Sequence, residues 1–171
     1  VAANAEKLGI DPTQIGVGGD SAGGNLAAGV AIKARDTQDV NLAFQLLIYP
    51  CNDNEMNYDS AYNNATGYGL STQAMKWFWE QYLQGTAHDQ NPYAVPMVAK
   101  DFSGLAPAIV ITAEFDPLLS DGFRKIICVP VSIGNRDDQF RASLESPEQF
   151  PDRNVEGDRR FVQYHIRAIK P

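Results

Sequence analysis

Gly19-Asp20-Ser21-Ala22-Gly23 is a G-x-S-x-G pentapeptide. A serine hydroxyl becomes a useful nucleophile when a neighbouring base takes its proton and a tight turn lifts it clear of its surroundings. Glycines two positions either side allow that turn without a Cβ clash. Gln14 to Gly18 before the motif reads as a short strand, and Gly24-Asn25-Leu26-Ala27-Ala28 after it reads as a helix of small residues. Ser21 is therefore the candidate nucleophile, on an elbow formed with Gly19, Asp20 and Gly23. The N–H of Ala22, at a helix N-terminus, is the candidate donor to the oxyanion of an acyl-transfer step.

Acyl transfer also needs a group that orients the base. Asp116 is the candidate. It follows the apolar run Pro107 to Ala113, which reads as a buried strand, so it falls just past a strand's carboxyl end. Open α/β sheets place their sites on that edge.

The elements that must carry these residues follow from periodicity. Val1, Ala5 and Leu8 are the end of an amphipathic helix that Gly9 terminates. Ala22 to about Arg35 is an alanine-rich helix, and Ala43 to Tyr49 is an apolar run expected to be a parallel strand buried on both faces. Cys51 to Gly69 shows no periodicity and reads as a long loop. Ser71 or Thr72 caps a helix whose apolar face is Met75, Phe78, Trp79 and Tyr82, a stripe suited to core packing or to an acyl-pocket wall. Asn91 to Pro96 reads as an extended loop. Alternating strands and helices predict a parallel sheet with helices on both sides.

The 171 residues suit one domain, and their composition is that of a globular chain. A net charge of −7 with no basic cluster argues against nucleic acid as a partner. No apolar run is long enough to span a bilayer. Cys51 and Cys128 lack metal-ligand or C-x-x-C spacing and fit a reducing compartment or an incidental pair; a cytoplasmic location is expected. Gly134 to Arg160 holds twelve charged residues in 27 and reads as a loose segment, while Val162 to Ala168 alternates like an edge strand.

Gly19 to Ala28, Leu47-Ile48-Tyr49-Pro50, Trp77-Phe78-Trp79, Asp101 to Ala108 and Ile111 to Leu118 together resemble the hormone-sensitive-lipase family, the bacterial-type carboxylesterases of the α/β-hydrolase fold. The resemblance covers residues 1–122. It implies an α/β chain, a fragment of a mostly parallel α/β-hydrolase sheet with helices on both faces, and leaves 123–171 as an atypical tail, poorly ordered or an edge strand. It further implies Ser21 as nucleophile, Asp116 as triad acid, a small-molecule ester substrate, and no metal or organic cofactor. Asp121 and Gly122 match the acidic-glycine pair that follows the acid.

Two family features are missing from these residues. One is the His-Gly-Gly-Gly oxyanion segment, which lies upstream of the elbow; the other is the Gly-x-x-His-Gly-Phe stretch with the triad histidine. His88 precedes the acid and reads as a loop residue. His165 follows it, without glycine context, and reads as the polar face of an edge strand. The chain is thus expected to be a nearly inactive piece of an esterase. The alternative is a non-catalytic binding module, as in gibberellin receptors, which resemble this family and lack the histidine.

Overall fold

The structure is a computed structural model that describes residues 1–123 and the backbone of 162–166. Cys128 and the charged stretch from Gly134 to Arg160 lie outside the described residues. Four strands, β1 (Val17–Asp20), β2 (Gln45–Ile48), β3 (Ala108–Ala113) and β4 (Val162–Ile166), form one sheet in the order β1-β2-β3-β4, every pair parallel. Parallel neighbours need crossovers, and α2 (Ala22–Thr37) supplies the one from β1 to β2. The rest of the described helix is α1 (Ala5–Leu8), α3 (Asp59–Asn63), α4 (Thr72–Leu83) and α5 (Leu119–Phe123).

Gly9 ends α1 in the left-handed region at φ 65°, as a C-terminal glycine should. The first strand starts later than the apolar pattern suggests, because Pro12–Gln14 is a 3-10 turn capped by the Asp11 carboxylate. Small residues let α2 lie close on the sheet: Ala27 and Ala28 are buried against Leu47, Ala108 and Val110. A Cβ at Gly24 would come within 2.9 Å of the Pro50 side chain.

Burial alternates along both central strands. Gln45, Leu47, Ala108, Val110 and Thr112 are buried, while Leu46, Ile48, Ile109 and Ile111 are half-buried. The unbroken apolar run at Ala43 to Tyr49 therefore does not make a strand sealed on both faces. α2 covers the first face at β1 and β2, and α5 reaches it at β3, where Gly122 abuts the Thr112 side chain.

A second apolar cluster lies beside the sheet. Met75, Trp79 and Leu83 of α4 pack with Cys51, Met56, Tyr58, Ala61, Val95 and Leu118. The loop read from Cys51 to Gly69 contains α3, and the loop read from Asn91 to Pro96 passes through turns and leads into a 3-10 turn at Pro96–Val98.

Candidate active site

Ser21 joins β1 directly to α2. Its φ of 51° and ψ of −118° put a residue with a Cβ in a region that side chains disfavour. Such a conformation costs about 1–3 kcal/mol and persists only where neighbours impose it. Here both backbone groups are held: the Ser21 N–H donates to the Ile48 carbonyl of β2 at 2.9 Å, and its carbonyl accepts the Asn25 N–H at 3.1 Å. The side chain is half-buried and makes no cap bond to its own helix, which leaves the hydroxyl available. The first amides of α2, from Ala22 onward, have no carbonyl one turn earlier to bond. They form a positive rim beside the serine.

The two motif glycines differ. A Cβ at Gly19 would overlap the backbone of Gly23, whereas a Cβ at Gly23 would find only an Asp20 carboxylate oxygen, at 3.9 Å. The turn is thus tight at Gly19 and roomy at Gly23, in contrast to the symmetric role expected of the pair.

Asp116 lies between β3 and α5, half-buried, and its Oδ1 accepts the Leu118 N–H at 2.8 Å. Burial pushes its carboxyl above the ordinary range, with the Leu118 amide pulling the other way. Register relates it to Ser21. Asp20 pairs with Ile48, and Ile48 with Ile111, so both residues follow strands that end on the same, carboxyl edge. One strand separates those two, which sets the strand axes about 10 Å apart.

An apolar cavity of about 190 Å³ opens next to the elbow. Ala22, Asn25 and Leu26 of α2 form one wall; Met75, Phe78, Trp79 and Tyr82 of α4, with Cys51, form the other. The aromatic stripe therefore splits its work. Met75 and Trp79 are buried, while Phe78 and Tyr82 are 50% and 46% exposed at the cavity's mouth. Asn25 is fixed by its amide donating to the Ala94 carbonyl at 3.0 Å. Burial, then the charges of Asp121 and Asp116, push the Cys51 thiol up to about 12, so it lines the cavity as an inert small side chain.

His88 does not line this cavity. His88 is exposed at the end of a 3-10 turn, Thr86–His88. His165 falls within β4, paired with Thr112, and not in a loop beyond the strand. Its imidazole lies outside the described residues. Sequence reasoning missed Asn64 and Ser60, whose side chains bind the carbonyls of the Asp116 loop. Nothing in a short Asn- and Tyr-rich stretch marks them.

Among the described residues no helix is long and apolar enough to cross a membrane. The sequence profile of the alpha/beta hydrolase fold matches residues 1–125. The chain is 41% identical over 125 residues to carboxylesterase NlhH of Mycobacterium tuberculosis, covering 71% of this chain and 39% of that protein. It is 35% identical over 119 residues to ethyl acetate hydrolase of Pseudomonas putida, covering 69% and 37%. The solved structure of a thermostable esterase from Pseudomonas putida superposes with a TM-score of 0.69 at 40% identity, covering 72% of this chain and 39% of that one. The chain thus spans about two fifths of the length of the curated relatives it matches.

Proposed function

The chain belongs to the alpha/beta hydrolase fold family, and from that premise we propose that it carries the nucleophile and acid of a carboxylic ester hydrolase. The relatives named as carboxylesterase and ethyl acetate hydrolase support the reaction class. The observation that carries the reading is the backbone of Ser21, held at φ 51° between strand and helix with its hydroxyl uncommitted. In the reaction Ser21 Oγ attacks the ester carbonyl carbon and loses its proton to a base. The carbonyl oxygen takes the negative charge beside the Ala22 amide. Collapse expels the alcohol, which takes up a proton, and leaves an acyl-serine that water hydrolyses. Asp116 orients the base, and the cavity beside Ala22 receives an apolar arm of the ester.

The base is the weak point. Neither His88 nor His165 stands in the family's glycine context. Loss of one triad member leaves roughly 10³–10⁴-fold over water, so this chain turns over slowly. Two assays on the 171-residue chain test the proposal. A fluorophosphonate labels Ser21 slowly, on prolonged exposure, and does not label the Ser21→Ala variant, while p-nitrophenyl butyrate is hydrolysed far below ordinary esterase rates. Saturable binding of an apolar ligand without any labelling would replace the hydrolase with the binding-module reading.

A further inference from the structure

The loop that carries Asp116 is held by one short helix lying 50 to 57 residues earlier in the chain. Asn64, the residue that closes α3, donates its side-chain amide to the carbonyls of Glu114 at 3.3 Å and Asp116 at 3.1 Å. Buried Ser60 donates its hydroxyl to the Pro117 carbonyl at 2.7 Å and accepts the Ser120 N–H at 2.8 Å. Ser120 Oγ accepts the Ser60 N–H in return, at 3.2 Å. Tyr68 stacks on Phe115 with ring centroids 5.1 Å apart.

These contacts fix peptide planes and not merely a position. The loop has left β3, so the sheet ladder no longer orients its carbonyls, and side chains supply the missing donors. Turning the plane between Asp116 and Pro117 would swing the Asp116 side chain away from the Leu118 amide. We infer that Asn64 is a positioning residue for Asp116: by bridging the carbonyls on either side of Phe115, it keeps one carboxylate oxygen on the Leu118 amide and leaves the other to orient an imidazole. The inference rests on the reading of Asp116 as the acid of an ester hydrolase, but its geometry can be tested separately.

The test uses the whole 171-residue chain carrying Asn64→Leu, which keeps the side chain's size and removes both donors. Hydrogen exchange at the Leu118 amide accelerates by about tenfold or more while the amides of β2 and β3 keep their protection. Asn64→Ser, which retains one donor, falls between. Unchanged Leu118 exchange in folded Asn64→Leu overturns the inference; should that variant not fold, unchanged exchange in Asn64→Ser does so. Fluorophosphonate labelling of the unsubstituted chain, set beside the exchange of the variant, separates the two ideas. A faster Leu118 amide beside an unlabelled Ser21 removes the hydrolase and keeps the hold of Asn64 on Asp116. A labelled Ser21 beside an unmoved Leu118 removes only the hold.

Discussion

At the scale of single residues the elbow is asymmetric, and that asymmetry is measurable. A methyl at Gly19 meets the backbone of Gly23, which cannot rotate away as a side chain would. Gly19→Ala should cost about 1–3 kcal/mol. Gly23 has room, and as the second residue of α2 it gains helix propensity from a side chain. Gly23→Ala should therefore be neutral, or stabilising by up to about 0.5 kcal/mol. Urea unfolding midpoints compare the two, and a larger loss at Gly23 would contradict the geometry. The G-x-S-x-G spacing was legible in the sequence; which glycine is indispensable was not, because that depends on how close strand and helix pass. Asp116 gives a second prediction. Its folded carboxyl is raised by burial, so the neutral form suits the native state. That stabilisation is complete below the ordinary carboxylate value and is lost as pH rises through the raised folded one. Asp116→Asn stays neutral throughout and still accepts from Leu118. Its melting temperature should exceed the parent's by no more than ~2 °C at pH 7, screening at a half-buried group keeping the gain small. The difference should vanish on acidification; a gain that grows as pH falls would refute the assignment.

At the scale of elements, the parts with strong local signals were read correctly and the parts made by tertiary contacts were not. Ser71 caps α4, its Oγ accepting the Ala74 N–H at 3.1 Å. Ser71→Ala should cost about 1 kcal/mol, lowering the melting temperature by about 2–4 °C. No change in the melt would mean that the cap carries no energy. The buried face of α4 is Met75, Trp79 and Leu83, one step round from the stripe chosen from the sequence. Phe78 and Tyr82 are equally apolar, but they face a cavity, and apolarity alone does not distinguish a core from a pocket wall. α3 escaped notice because five residues show no period, and its stability comes from Ser60 and Asn64 binding a loop that follows much later. The strand at Ala43 to Tyr49 looked sealed on both faces; it alternates because α2 and α5 both pack on the Leu47 face.

At the scale of the whole molecule, the sheet and its helices leave apolar surface facing water. Among the described residues β1 pairs with β2 alone, so one flank of its backbone is open. Leu26 and Val30, one turn apart on α2, are 54% and 47% exposed, and Trp77 on α4 is 54% exposed. An open strand edge beside apolar residues favours contact between chains, and a net charge of −7 opposes it only weakly at physiological salt. The chain should therefore associate as its concentration rises through about 10–100 μM, the range in which exposed apolar surface drives assembly. Val30→Glu combined with Trp77→Glu should reverse this, since both side chains are exposed and neither lines the cavity at Ala22. Light scattering coupled to size exclusion makes the comparison: a mass that climbs with concentration for the parent and stays at that of one chain for the double variant. If the parent itself runs as one chain across that range, the open edge and the apolar face are not an interaction surface. If the double variant climbs as steeply as the parent, the edge of β1 carries the contact, and Gly18→Pro, which blocks strand addition by removing a backbone donor, becomes the substitution that stops it.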